Sequence, residues 1–423
     1  VHVVHLYDGH EKVHGGRGSV PGVVWNVARE TAAAGHDVTV LERQWKTLPA
    51  SARHNGVDFE RLDLSTGADE PWERVPYELI DNPLELARLV GDRTNFALAA
   101  LRRLRSMEFD VLHVHLPFAA NVLATLAPWL RDRMVYTAHL GELRLNAIDD
   151  QSEGVDEGGT ADDSVDVPGV LERFSPDAYL AKRAAKTTVL NPSIEDGFIE
   201  RGVSEERLEV VPNGVDIDRF GDVSSTTVER VRTNYGLEGS TVALFVGTVM
   251  PRKGVLELVR ALDSVVDEEK SDLELVIAGE QDLDSEYAER VRSEIEERGL
   301  REHVTTTGFV PGSELPALYD LADIFVLPSL EEGFGMTVIE AMAAETPIAA
   351  TRVGGVPRVV RPDRDGYLAA PGDPAELATA LERLLEDPEA RERFSENAKE
   401  RAESYSWHGI SQNFISIYQE VNV

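Results

Sequence analysis

Cysteine is absent from this 423-residue chain. Its absence excludes a disulfide framework, a thiolate nucleophile and a Cys-ligated metal. Lysine is nearly as scarce: Lys12, Lys46, Lys182, Lys186, Lys253, Lys270 and Lys399 are all there are, and the remaining basic residues are Arg. Positive charge as a whole is outnumbered, with 42 Lys and Arg against 76 Asp and Glu and a formal net charge of −34. Such a chain repels phosphate backbones, which argues against general nucleic-acid binding. Acidic excess with few lysines predicts adaptation to high salt, where self-repulsion is screened. No run of about 18 apolar residues occurs, so no membrane-spanning helix is expected. The chain enters VHVVHLY directly, without a signal-peptide pattern, and the expected location is the cytoplasm.

What is present is a repeated alternation of apolar runs and helical patterns. Val1–Leu6 reads as a strand, 20–34 as a helix ending at Gly35, and Asp37–Leu41 as the next strand. A helix over 86–107, a strand over 111–115, a helix over 121–130 and a strand over 134–137 follow. The rhythm resumes after Phe220, with strands expected at 242–246, 273–278, 304–306 and 324–327 and helices between them. This βαβ order predicts mostly parallel sheets covered by helices, and the length calls for two such α/β domains in series. Val210–Asp216, with Pro212 and Asn213-Gly214, is the expected hinge. The stretch 149–168 is acidic, Gly-rich and poor in large apolar residues, and reads as a surface loop. The final segment, from Trp407, carries Ile410, Phe414, Ile417 and Val421 at helical spacing.

The densest chemistry lies between Pro328 and Gly355. A strand pattern ends at Pro328-Ser329, Glu332 follows, then Gly333-Phe334-Gly335, then a helical pattern in which Glu340 falls two turns on. Exposed amides at a helix start suit an anionic or polyhydroxylated ligand. Arg252-Lys253-Gly254 follows the first strand of the second domain, where two cations and helix amides suit a diphosphate. After the first strand of the chain comes Gly15-Gly16-Arg17-Gly18-Ser19, whose glycines let backbone approach a ligand. His113 and His115 share one face of a strand, with no third metal ligand at short spacing. Asp216-Ile-Asp218 and Asp282-Leu-Asp284 have a form used elsewhere to hold metals, but such pairs are common by chance in so acidic a chain. Cations already serve the diphosphate, so no metal is expected.

The string from Glu332 to Gly355, with its E-x7-E spacing, and the segment VPNGVD at Val211–Asp216 resemble retaining glycosyltransferases of family 4. The resemblance implies the GT-B fold, two doubly wound Rossmann-like domains facing a cleft. It assigns 1–211 to the acceptor side and 212–406 to the nucleotide-sugar donor, with the helix 407–423 returning to pack on the first domain. It implies a donor site made of Gly16, Gly18, Ser19, Gly247, Phe309, Val310, Gly333, Phe334, Gly335 and Glu340, with Glu340 on the ribose. Glu332, His115, Lys253 and Arg252 become the catalytic set, His115 touching the donor sugar. His139 takes a supporting or acceptor-side role, and His113 a structural one. Ser19, Thr248, Glu345 and Arg358 depart from the family pattern, which usually has Gly, a Gly-Arg pair, Gly and Glu at those places. The implied function is transfer of a sugar from a nucleoside-diphosphate sugar to an acceptor hydroxyl or phosphate, with retention and with no cofactor beyond the donor itself. The acceptor, whether glycan, lipid carrier or small molecule, is left open. So is a peripheral contact with the cytoplasmic membrane face through the basic cluster Leu101–Arg105, whose place at a helix end has its own explanation.

Two rival readings remain at this point. A partner subunit that kept the fold without turnover is supported by Ser19 and Thr248 and opposed by Glu332, Glu340 and Lys253. A nicotinamide-dependent oxidoreductase would need a complete G-x-G-x-x-G before an acidic residue; Gly16 and Gly18 do not complete it, although Glu42 stands at a suitable distance.

Overall fold

A computed structural model describes residues 1–16, 18–64, 83–139, 175–266 and 272–422. The acidic stretch 149–168 lies outside them. The chain forms two compact units: Val1–Pro212 with Ile410–Val423, and Asn213–Gly409.

The first unit is built on one eight-stranded sheet. Its strands are β1 (His2–Leu6), β2 (Asp37–Arg43), β3 (Ser51–His54), β4 (Val57–Leu62), β5 (Val111–Val114), β6 (Met134–Thr137), β7 (Lys186–Val189) and β8 (Leu208–Val210), in the order β3-β4-β2-β1-β5-β6-β7-β8. All pairs are parallel except β3 with β4. The central strands are buried on both faces, which is why they read as unbroken apolar runs rather than as alternation. The helix Ser19–Ala33 turns Val23, Val24, Val27, Ala28 and Thr31 inward at helical spacing. The helices Pro83–Leu104 and Pro117–Leu126 cover a core that includes Phe96, Leu112, Leu123 and Tyr136. The last helix, Trp407–Val421, reaches this unit: Tyr418 is buried and its hydroxyl lies 2.7 Å from Nδ1 of His113.

The second unit carries six parallel strands: β9 (Thr241–Val246), β10 (Leu273–Ala278), β11 (Val304–Gly308), β12 (Ile324–Leu327), β13 (Ile348–Thr351) and β14 (Gly366–Ala369). Their order is β11-β10-β9-β12-β13-β14. Counted within the unit this is the doubly wound 3-2-1-4-5-6 arrangement, whose order reverses between β9 and β12. The helices Val255–Val265, Ser285–Glu297 and Pro374–Glu386 bury Leu258, Val259, Val291, Leu381 and their neighbours against one face. Among the described residues no helix is long and apolar enough to cross a membrane.

The structure adds to the expected pattern. The β3–β4 hairpin, β7 and β14 join the predicted strands, and the helix expected over 86–107 runs from Pro83 to Leu104.

Candidate active site

Ligands of open parallel sheets sit outside the carboxyl ends of the strands, where the strand order reverses. In the second unit that place lies beyond β9 and β12, and the loops after both strands are laced together. Backbone amides of Leu330 and Glu331 donate to the carbonyl of Arg252 at 2.8 and 3.3 Å. Gly254, at φ +65°, packs so closely on this lacing that a Cβ there would stand 2.0 Å from the carbonyl oxygen of Pro328. The result is an ion pair across the reversal point: Lys253 Nζ lies 2.6 Å from Glu332 Oε2, and each side chain is 12% exposed. The Lys253 stem passes beside Gly247, whose added Cβ would meet it at 3.8 Å.

A third loop fixes the Glu332 turn from beneath. The amide of Gly355 donates to the carbonyl of Gly333 at 3.1 Å, and a Cβ on Gly354 would fall 1.5 Å from the carbonyl oxygen of Glu332. Gly335, at φ +89°, then opens the helix Met336–Ala343, whose start has no side-chain cap. An uncapped start presents backbone N–H groups and the positive end of the helix dipole. Phe334 turns inward and packs edge-on against Tyr405, so this turn offers backbone rather than its aromatic ring.

Glu340 lies on that helix, half-buried, and its Oε2 accepts a hydrogen bond from the Tyr319 hydroxyl at 2.8 Å. Burial pushes its carboxyl up to about 7, against the opposing pull of the Tyr319 hydroxyl and the Arg219 charge. Phe309, after β11, is 46% exposed, whereas Val310 is 7% exposed and has little side chain to offer a ligand.

In the first unit the histidines meet. His5 and His113 pair across β1 and β5 in register, and His115 follows two residues on. His5 Nδ1 lies 2.9 Å from His115 Nε2, and His115 Nδ1 lies 3.1 Å from His139 Nε2. His113 is held by Tyr418 and by Thr137 Oγ1, each at 2.7 Å. Burial holds His5 and His139 down to about 3 and pushes His113 and His115 well below the usual imidazole range, so all four stay neutral. His5, His113 and His115 are close enough to be considered as metal ligands, with one nitrogen of each within 4.8 Å of the others. His113 is also held from outside the group by Thr137 and Tyr418 and His115 by His139, whereas the buried His5 Nε2 has no hydrogen-bond partner among the described residues. At the start of the helix Ser19–Ala33, the amide of Gly18 donates to the Glu11 carboxylate, and Gly16 packs on Lys12, where a Cβ would stand 2.0 Å from its carbonyl oxygen.

The sequence matches glycosyltransferase family 4 over residues 20–219 and glycosyl transferases group 1 over residues 228–401. The chain is a family 4-like glycosyltransferase with the GT-B fold. It is 27% identical over 409 residues to the D-inositol 3-phosphate glycosyltransferase of Corynebacterium glutamicum, covering 96% of this chain and 92% of the relative. Among solved structures it resembles the sucrose-phosphate synthase of Thermosynechococcus elongatus, with a TM-score of 0.78 at 22% identity, covering 99% and 98% of the two chains. It also resembles Anabaena HepE, solved in complex with UDP and glucose, with a TM-score of 0.70 at 20% identity and 99% of each chain covered.

In this glycosyltransferase the residues singled out by sequence fall into two groups. Arg252, Lys253, Gly247, Glu332 and Gly333–Gly335 gather at the reversal point of the second sheet, and Glu340 lies about one turn into the helix Met336–Ala343, not two, because Glu332–Gly335 is a turn that precedes the helix. His115 is 1% exposed, and its two ring nitrogens lie within hydrogen-bond distance of His5 and His139. His139, half-buried at the outer end of the imidazole chain, is the member nearest solvent. His113 is tied to Thr137 and Tyr418, as a structural residue would be. Both D-x-D segments supply helix caps: Asp216 Oδ1 accepts from the amide of Arg219 and Asp284 Oδ1 from that of Tyr287. Glu42, which the oxidoreductase reading needed, accepts from Arg61 at 2.8 Å and from the Val13 amide at 2.9 Å, inside the protein. Within the basic cluster Leu101–Arg105, Arg103 pairs with Glu60. Sequence reasoning missed His5, Tyr418 and Tyr319. Each lies in a regular apolar pattern, and only its partner reveals a polar duty.

Proposed function

We propose that this glycosyltransferase transfers a sugar, with retention, from a nucleoside-diphosphate sugar to a hydroxyl or phosphate of its acceptor. The observation that carries the reading is the Lys253–Glu332 pair at 2.6 Å beside an uncapped helix start. A diphosphate needs cations and amides; a sugar needs a carboxylate to accept from its hydroxyls. Both lie where a doubly wound sheet binds ligands. Donor binding then exchanges one partner for another: the diphosphate takes Lys253 and Arg252, and the sugar hydroxyls take Glu332. The cations and helix amides stabilise charge as it develops on the leaving diphosphate, which is the term expected to dominate such a transfer. Glu340 accepts from the ribose. The reading requires no divalent metal.

A UDP- and glucose-bound neighbour supports a uridine nucleotide as the first donor to try, and the name of the corynebacterial relative supports a phosphorylated polyol as the first acceptor. The test is Glu332→Ala assayed for sugar transfer against a panel of nucleotide sugars. Transfer should fall by at least about a hundredfold, the scale of losing a group aimed at the transition state, with the melting temperature little changed. Transfer at close to the parent rate would refute the assignment. Parent protein that binds nucleotide sugars without turning them over would favour the non-catalytic subunit instead.

A further inference from the structure

Glu340 is held by a residue that the E-x7-E spacing does not contain. Tyr319, on the helix Leu315–Leu321, is 0% exposed. Its ring stands edge-on to Phe220 at 5.5 Å and leans on Phe325 at 5.6 Å, and its backbone carbonyl accepts from Thr346 Oγ1 at 2.9 Å. A ring so enclosed has one rotamer available. Burial and the neighbouring carboxylate push the Tyr319 hydroxyl far above its ordinary range, so it remains O–H and donates. The donation goes to Glu340 Oε2 at 2.8 Å. Among the described residues Glu340 Oε1 has no protein partner, although the side chain is largely withdrawn from water. Oε1 itself keeps access to solvent, so a ligand hydroxyl can take the place of water there.

We propose that Tyr319 is a positioning residue for ribose recognition: by occupying Oε2 it fixes the Glu340 carboxylate so that Oε1 faces the vicinal diol of the donor nucleotide. This rests on the reading of Glu340 as the ribose acceptor. A carboxylate free to rotate would spend binding energy on being ordered; one clamped by a rigid phenol is ordered in advance. Tyr319 therefore acts on donor affinity and on the distinction between ribose and deoxyribose, not on the bond-changing step.

The experiment measures binding of UDP and GDP, each with its 2′-deoxy and 3′-deoxy counterparts, to the parent protein, Tyr319→Phe and Glu340→Gln, by calorimetry in the full chain. The nucleotide that binds more tightly is used for the comparison, and its sugar donor for kinetics. The parent should prefer the ribonucleotide. Tyr319→Phe should weaken the ribonucleotide roughly fivefold to tenfold, the scale of one hydrogen bond to a charged group. It should leave the deoxy forms within about twofold, and raise donor KM with kcat nearly unchanged. The ratio is internal to each variant, so a general loss of folding cancels from it. If Glu340→Gln lowers the ribose preference and Tyr319→Phe keeps the parent ratio, the positioning role is overturned and the ribose reading survives. If Glu340→Gln itself keeps the parent ratio, the ribose reading is overturned and the inference with it.

Discussion

Lys253 and Glu332 neutralise each other, so each is conditioned on the other. Removing Lys253 takes a cation from beside the mostly buried Glu332 carboxylate and, on the proposed function, from the donor diphosphate. Lys253→Ala should raise donor KM by at least about tenfold, the cost of one lost charge-assisted bond, while chelation of divalent ions leaves the parent rate unchanged. Activity abolished by a chelator and restored by a metal would contradict the cation-only account. Glu340 makes a second prediction, through pH. Its carboxyl is pushed up to about 7 by burial, and only the ionised form accepts from two ribose hydroxyls. Donor KM should therefore be flat above that value and rise as pH falls through it, and Glu340→Gln should abolish the rise. The stability sign is the reverse: a carboxyl raised from 4.5 in the fold loses stability as pH climbs from 4.5 to about 7, so Glu340→Gln should gain melting temperature above that window relative to the parent. A KM limb near 7 that survives Glu340→Gln would defeat this account. The buried histidine cluster of the first unit is an unsuitable cause, because burial keeps His5, His113, His115 and His139 neutral across that range. At this scale the sequence discloses residues that share a short spacing. Glu332, Glu340 and Lys253 can be picked out because turn glycines surround them. The neighbours of the two His115 nitrogens cannot, since they lie 110 and 24 residues away.

Three loops, from β9, β12 and β13, form the candidate site of the second unit by interlocking backbone. Gly354, at φ +50°, sits where a Cβ would be 1.5 Å from the Glu332 carbonyl oxygen. No rotamer change relieves a clash with backbone, so Gly354→Ala must push the Glu332 turn away. Transfer should drop by more than about tenfold with a stability loss of about 1–3 kcal/mol, the scale of strain stored at such sites. Gly372→Ala is the matched control: its φ is +71°, but the nearest contact for a Cβ is Leu330 Cδ2 at 3.9 Å. It should lose stability alone. Equal loss of transfer in both variants would mean that backbone strain, not displacement of Glu332, is what matters. Glu345 shows the opposite compromise. It adopts φ +61°, which explains why the family pattern has Gly there, and it recovers part of the cost by pairing with Lys399 at 2.6 Å. At the scale of elements the parallel strands were legible because they are buried on both faces. The β3–β4 hairpin was not recognised, although Asn55-Gly56, with φ of +48° and +85°, is the dipeptide such a two-residue turn favours. The alternation of β4, Val57 and Phe59 inward with Asp58 and Glu60 outward, was a second signal, diluted by the charged residues around it.

Charge is a property of the whole chain, and a sum over residues survives any error in placing them; so does the length that called for two domains. The sign of the salt response follows from two opposed terms. Surface ion pairs such as Arg292–Glu289, Arg301–Glu296 and Arg383–Asp363 weaken as salt rises, but each contributes only about 0.2–1 kcal/mol. Pairs inside the first unit, Arg43–Asp92 at 2.6 Å and Arg61–Glu42 at 2.8 Å, have side chains at most 2% exposed and lie beyond the reach of dissolved ions. Against them stands a net charge of −34, an excess that no basic residue can balance. At low ionic strength the screening length is ~30 Å and most of the surface acidic groups repel one another; in molar salt it is ~3 Å and that repulsion is confined to contacts. Repulsion summed over so large an excess outweighs a few weak pairs. The melting temperature should therefore climb continuously from about 10 mM to molar salt, the range over which the screening length falls tenfold. Transfer rate measured on the same samples should recover along the same curve. A melting temperature flat across that range would remove adaptation to high salt from the account and leave the transferase assignment standing. A melting temperature that falls would show that the exposed pairs outweigh the net charge.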